Sequence, residues 1–326
     1  MTKPKKYLRV SAFIEKINTF KKTKTGQRTL RLLKGVFMLG ILSYLTYNLY
    51  QIGWREVLRN LPMRAEFYVL FFLIHFATPF WEVIIYKQFW KFGFKEGLKT
   101  FITKKILNAE VVGYSGEVYL FTWAKKRFNL KNKAAFGPIK DNTILSSIVS
   151  NVTIIIILLV YTFTSDLDVL SALHIKKIHL YTVAGILSII VIGLLFFRNN
   201  VFSVDTPTLL KVIGIHELRI LVIYGLEILQ WAIILPLIPL QIWFLLMVIK
   251  IVTSRVPMLP NRDLIFASLG IEVSKLLNLS TAGIAGILLT NSALIKLTNF
   301  SLYTIFYVDD AVKKSADNPS AANNLD

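Results

Sequence analysis

Residues 67–86 read FYVLFFLIHFATPFWEVIIY, and His75 and Glu82 are the only acidic, basic or histidine side chains among them. A helix rises 1.5 Å per residue, so roughly 20 apolar residues cross the ~30 Å hydrocarbon layer of a bilayer. Lipid cannot satisfy backbone polar groups, which leaves a helix as the form such a segment takes there. The stretch therefore reads as a membrane-spanning helix. Working outward, similar apolar runs lie at about 35–52, 143–163, 180–197, 220–238, 242–258 and 284–307, the fifth and sixth of the seven divided by the turn PLIPLQ at 236–241. Apolar residues make up 54% of the 326-residue chain and aromatics 13%. The mean hydropathy is +0.56, above the range of ordinary soluble domains.

Charge gives these runs an orientation. The chain has 38 Lys and Arg against 19 Asp and Glu, a net +19, concentrated in the N-terminal tail and between apolar runs. Placed this way, the charge suits cytoplasmic loops facing an anionic leaflet, and no nucleic-acid partner is expected. The first 34 residues carry 11 Lys and Arg and one acid, with no small-residue cleavage site after them. They read as a cytoplasmic tail ahead of a retained helix, in which TFKKTKTGQR at 19–28 either meets anionic headgroups or is simply solvated. With the tail inside, KQFWKFGFKEGLK at 87–99 and KKRFNLKNK at 125–133 also fall inside, and SDLDVLSALH at 165–174 falls outside. The expected location is a bacterial inner or plasma membrane, multi-pass, with a cytoplasmic N-terminus.

Two polar interruptions break the apolar pattern. NAEVVGYSGE at 108–117 and NRDLIFASLGIE at 261–272 share an order of Asn, an acid, two aliphatics, Ser, Gly and Glu, and lie 153 residues apart. Non-helical backbone at membrane depth is tolerated where it is buried in protein or lines a wet cavity, so both read as re-entrant or broken helices. Paired interruptions in two halves, 35–165 and 178–308, point to a transporter-type site, for which the two segments must meet across a polar cavity. The alternative is a chance likeness. The expected fold class is all-α: a polytopic membrane helix bundle with six to eight spans and two re-entrant or broken helical segments. It comprises a basic tail at 1–34, a single transmembrane domain at 35–308 and a polar tail at 309–326.

The segments GYSGEVYLFTWAKKR at 113–127 and VPMLPNRDLIFASLGIE at 256–272, with the span pattern around them, resemble the flippase-like integral membrane family related to the transmembrane region of lysyl-phosphatidylglycerol synthases. This chain departs from the family pattern in splitting Gly113 and Gly116 by Tyr114-Ser115, and in carrying Asn261-Arg262-Asp263 where Gly-Leu-Gly is usual. The resemblance implies lipid handling and carries over to Gly116 and Glu117, and more weakly to Pro257, Pro260 and Gly270. With only a short polar tail after residue 308, no aminoacyl-transferase domain is expected.

Several polar residues are candidates for a headgroup groove: Asn108, Glu110, Ser115, Gly116, Glu117, Arg255, Arg262, Asp263 and Glu272. A carboxylate at membrane depth, such as Glu117, could carry a proton or meet a headgroup amine; the alternative is an interfacial acid paired with Lys104, Lys105 or Lys125. Arg262 with Arg255 could bracket a phosphate, or both could be positive-inside anchors. Asp263 reads as a helix cap, and Glu272 with Lys275 as an i, i+3 ion pair. Glu227 lies mid-span, where charge is costliest, and is the second proton-linked candidate. Glu82 and Lys250 lie near helix ends, where long side chains snorkel. Asn151 and Asn291 read as bonds between neighbouring helices, and Tyr47, Tyr50, Trp54, Trp81, Tyr86 and Trp90 as interfacial belts.

The chain has no cysteine and four histidines, which excludes disulfides and thiolate chemistry and makes a His-rich metal site poor chemistry. No phosphate-binding loop, HExxH or GxSxG motif is present, HELR at 216–219 falls short of the second, and Asp166 and Asp168 form only a lone DxD. Neither a catalytic residue nor a cofactor is expected. The reading is a lipid transporter or flippase-like protein moving a phospholipid or polyprenyl-linked precursor between leaflets. Its expected partners are membrane lipids, an anionic phospholipid or polyprenyl phosphate, with a membrane enzyme as a further candidate partner. The alternatives are a membrane-embedded transferase acting on such lipids and a non-catalytic scaffold subunit.

Overall fold

The computed structural model describes residues 54–111, 114–164, 176–196, 198–255 and 262–317, preceded by the helical residues Ser43, Thr46, Tyr47 and Tyr50. The chain divides into two compact units, Met1–Gln51 and Ile52–Asp326. The basic tail and most of the apolar run at 35–52 lie outside the described residues, as does the 165–174 loop with its two Asp. Among the described residues there is no strand.

The second unit consists of α1 (Trp54–Arg59), α2 (Ala65–Tyr86), α3 (Phe94–Glu110), α4 (Ser115–Arg127), α5 (Asn132–Thr164), α6 (Lys177–Phe196), α7 (Thr206–Ile234), α8 (Leu240–Arg255), α9 (Arg262–Leu276) and α10 (Thr281–Asp317), with a single helical turn at Arg198–Val201. The six apolar runs expected beyond residue 60 all fall on helices, and PLIPLQ forms the turn between α7 and α8. Two helical stretches, Ala65–Tyr86 and Thr281–Phe306, are long and apolar enough to cross a membrane. Hydropathy hid the true length of the others. The α5 helix begins at Asn132, inside the basic stretch, and α7 runs for 29 residues that include Lys211, Glu217, Arg219 and Glu227.

Helix α7 starts where Asp205 accepts a hydrogen bond from the Thr208 N–H at 3.3 Å, with proline in the first turn. The Thr208 hydrogen bonds hold the Asp205 carboxyl below its ordinary value. The cap therefore contributes fully above the usual carboxylate range and is lost as pH falls through the depressed value.

Helices α2 and α7 pack along one another; α3 packs on α2 and α4, α5 on α4, α6, α7 and α8, and α9 on α8 and α10, with α10 also meeting α1 and α3. One core joins Phe67, Trp231, Trp243, Leu246, Met247, Phe266 and Leu288. The second is aromatic, with Tyr86 stacked between Trp90 and Phe101 at ring-centroid distances of 5.4 and 4.9 Å. Tyr86 and Trp90 are thus buried, contrary to the interfacial belt expected of them. Gly286 lets α10 reach the end of α1, since a Cβ there would lie 2.3 Å from the Asn60 carbonyl oxygen.

Around these apolar cores the exterior is also rich in apolar side chains. Large apolar side chains face outward on α2 (Val69, Phe72, Leu73), α6 (Ile189, Ile190, Ile192), α7 (Leu218, Leu221, Leu229) and α10 (Leu297, Phe300, Ile305). Ile189 is 72% exposed, whereas Lys104 and Glu227 are 5% and 7% exposed. Asn291, as expected, joins helices: its amide exchanges hydrogen bonds of 3.2 Å with Gln230 of α7, which also donates to the Phe67 carbonyl at 2.9 Å. Gln230→Leu is expected to cost about 1 kcal/mol, measured as a lower unfolding midpoint in detergent, with Asn291→Leu adding little once Gln230 is gone.

Candidate functional site

Helices α3 and α4 form an antiparallel hairpin. Glu96 near the start of α3 meets Arg127 at the end of α4 at 2.6 Å, and Asn108 near the end of α3 meets Glu117 near the start of α4 at 3.2 Å. The Glu96 hydrogen bond holds the exposed Arg127 guanidinium above its ordinary value. Between the helices the chain turns at Tyr114, whose φ of 73° lies in the left-handed region. A non-glycine residue there costs about 1 kcal/mol or more and needs support. Support comes from both flanks: the Ser115 hydroxyl donates to the Leu107 carbonyl at 2.6 Å, and Asn108 Oδ1 accepts the Gly116 N–H at 2.8 Å. Gly116 has to be glycine, because a Cβ would sit 2.3 Å from the Lys104 carbonyl oxygen. Gly116→Ala should cost about 1 to 3 kcal/mol by forcing the hairpin apart, read as a lower unfolding midpoint together with faster proteolysis near residue 111.

Against this hairpin lie three adjoining cavities of about 220, 270 and 240 Å³, the first two with mixed walls that are mainly apolar and the third mainly polar. The first is lined by His75, Glu227, Gln230, Lys250, Asp263 and Asn291 among others. The second shares Lys105, Lys250 and Asp263 with it and adds Glu82, Lys104, Asn108, Arg262 and Lys296. The third shares Glu82, Lys104, Asn108 and Arg262 with the second, and adds Glu117, Asn142, Ser146, Ser147 and Arg219. Together the walls carry Lys104, Lys105, Arg219, Lys250, Arg262 and Lys296 against Glu82, Glu117, Glu227 and Asp263; Lys296 is paired with Glu110 outside the walls, which leaves a formal surplus of one positive charge.

Most of these charges are held in place. Lys104 lies 2.5 Å from Glu82 and 3.5 Å from Glu117, all three side chains being at most 20% exposed. Lys250 meets Glu227 at 2.7 Å. Lys105 donates to the His75 carbonyl at 2.6 Å, and the reason lies in α2 itself. Pro79 has no N–H to offer the carbonyl four residues back, so His75 keeps a free acceptor inside an apolar helix. Behind the third cavity, Asn142 accepts from His216 Nε2 at 2.9 Å and donates to the Tyr86 hydroxyl at 3.2 Å. Among the described residues, Glu117 Oε2 and Glu227 Oε2 are buried without a hydrogen-bond partner. A buried carboxylate oxygen in that state calls for a proton, an ammonium or water.

The two interrupted segments do meet, since Asn108 and Arg262 line both the second and the third cavity. Their shared residue order is not a shared conformation, however. In the first segment one helix ends at Glu110 and the next begins at Ser115, whereas residues 262–272 lie on one continuous helix, α9. A left-handed Tyr114 opens the first, and the corresponding Phe266-Ala267 is buried helix.

The expected groove residues divide accordingly. Asn108, Glu117, Arg262 and Asp263 line the cavities, and Glu227 lines the first of them. Asp263 lies within the first turn of α9, where its charge also complements the helix dipole. Glu110 turns to α10 instead, meeting Lys296 at 2.7 Å and Asn299 at 2.8 Å. Ser115 and Gly116 shape the turn, and Glu272 pairs with Lys275 at 3.1 Å and lines none of the three cavities. The side chain of Arg255 and all of Asn261, Pro257 and Pro260 lie outside the described residues. Glu82 and Lys250, expected to snorkel from helix ends, are cavity residues with buried partners. Arg219 was hidden in HELR, where only its failure to match a metal motif stood out. Its Nη2 donates to Ser146 at 3.2 Å, which places it in the third cavity.

Compared with family models, curated proteins and solved structures, the chain matches none.

Proposed function

We propose that the chain is a polytopic membrane protein of six to eight spans that takes an anionic lipid headgroup into the cavity system and carries it between leaflets. The observation that carries this reading is an outward coat of Ile, Leu and Phe around three cavities whose walls hold more basic than acidic side chains. Charged groups are costly at membrane depth unless paired or wet, and marked pathways are where they persist. A phosphate entering the third cavity would find Arg219, Arg262 and Lys104, with the guanidinium groups suited to planar, bidentate contact. Acyl chains stay in lipid. Glu117 and Glu227, each with a buried open oxygen, supply the sites for proton coupling or for a headgroup amine. The basic loops place the N-terminus in the cytoplasm. The reading agrees with the flippase-like family that the 113–127 and 256–272 segments resemble.

Reconstitution tests it. Protein in vesicles containing fluorescent phosphatidylglycerol should expose the inner-leaflet label to dithionite much faster than protein-free vesicles do. An unchanged rate at verified protein incorporation, with and without a proton gradient, would overturn it.

A further inference from the structure

We propose that an apolar slot between α4 and α5 holds the hydrocarbon chain of the lipid whose charged headgroup occupies the third polar cavity, an inference that rests on the headgroup reading above. The slot has a volume of about 440 Å³ and is walled by Val118 and Phe121 of α4 and by Phe136, Ile139 and Ile144 of α5. Tyr114, Glu117 and Thr143 line both the slot and the third cavity, so the two adjoin. One side therefore presents Lys104, Arg219 and Arg262 together with the carboxylates of Glu82 and Glu117, and the other a mainly hydrocarbon wall.

An amphiphile with a phosphate next to a long chain satisfies both ends at once. A free phosphate has no use for the slot, and a wholly apolar molecule has none for the cations. The one lysine at the slot, Lys140, directs its ammonium away to the Val201 carbonyl and to Ser203 Oγ, leaving its methylenes on the wall. Val118 and Phe136 are 67% and 55% exposed, so the slot is open along its outer side. A chain can enter it sideways from the bilayer without threading.

Photocrosslinking separates this site from ordinary surrounding lipid. The full chain is reconstituted with phosphatidylglycerol carrying a diazirine on its acyl chain, irradiated and mapped by mass spectrometry. Adducts are expected at Val118, Phe121, Phe136 and Ile144 well above those at Ile189 and Ile192 of α6. Slot adducts should fall about tenfold with Arg262→Ala, through loss of one charge-assisted contact. They should also fall with Val118→Trp or Ile144→Trp, each of which fills the slot from a different wall. Slot labelling no stronger than at α6, or equal labelling by an uncharged diacylglycerol probe, would overturn the proposal. Headgroup-dependent slot labelling without leaflet transfer would support the slot and sink only the transport reading; transfer without slot labelling would sink only the slot.

Discussion

Lys104→Met is expected to destabilise the protein more than any other single change considered, by roughly 3 to 5 kcal/mol. The ammonium lies between two carboxylates, 2.5 Å from Glu82 and 3.5 Å from Glu117, and its side chain is 6% exposed. Its removal leaves both acids in a poorly hydrated site, where an uncompensated charge costs more than the intact pair contributes. The expected signature is partial rescue. Adding Glu82→Gln to Lys104→Met should recover much of the loss, because the second substitution removes the stranded charge. Unfolding midpoints of the two single variants and the double variant in one detergent make the comparison. Additive losses would mean that Glu82 and Lys104 act independently, against the geometry.

Arg262→Ala is expected to lower the rate of phosphatidylglycerol transfer about tenfold to a hundredfold while leaving the unfolding midpoint nearly unchanged. A hydrogen bond to a charged group contributes about 1.5 to 3 kcal/mol, and each 1.4 kcal/mol is a factor of ten. Arg262 stands at the first position of α9, lining two cavities, so its loss should act on the ligand rather than on the core. Arg262→Lys should recover only part of the rate, since a point charge cannot reproduce a bidentate contact. Arg219→Ala should act in the same direction through the third cavity, and the double variant should fall below either single one. An Arg262→Ala protein that transfers lipid at the parental rate would remove this residue from the headgroup path.

The helices were legible where hydropathy governs them. Residues 67–86, 180–197 and 284–307 read as apolar runs and fall on α2, α6 and α10; the edges of α2 and α6 agree within a few residues, whereas α10 continues through polar residues to Asp317. The break near 111–114 was also legible, because Gly113, Gly116 and the polar residues around them interrupt a periodic pattern. What hydropathy could not give was helix carried by polar residues. Residues 132–142, from the end of the basic stretch at 125–133 to the apolar run at 143, lie outside any expected span, yet they form the start of α5 and carry Asp141 and Asn142 into the interior.

Pairing across the chain was illegible for a different reason. Glu82 with Lys104, and Glu227 with Lys250, are 22 and 23 residues apart on separate helices. Seen alone, Glu82 and Lys250 look like helix-end charges able to reach the surface and Glu227 like an isolated mid-span carboxylate, whereas Lys104 is expected only as a partner for Glu117, which it meets at 3.5 Å. One local signal was available: Pro79 within an apolar helix implies an unbonded carbonyl at His75, and hence a donor from elsewhere, which Lys105 supplies. The likeness between 108–117 and 261–272 correctly brought both to one cavity, but residue order alone did not distinguish a break from a continuous helix.

Water-filled cavities with charged walls inside a lipid-facing apolar coat are tested most directly by thiol accessibility, since the chain contains no cysteine to remove. Single variants Ser147→Cys and Ser254→Cys place a thiol in the cavity walls. Ile189→Cys and Leu229→Cys place one on the apolar exterior. In intact membranes a water-soluble maleimide should label the two cavity positions, with labelling slowed by added phosphatidylglycerol, and should leave the two exterior positions unmodified until detergent is added. Rapid labelling of Ile189→Cys and Leu229→Cys in intact membranes, with the cavity positions silent, would contradict the account.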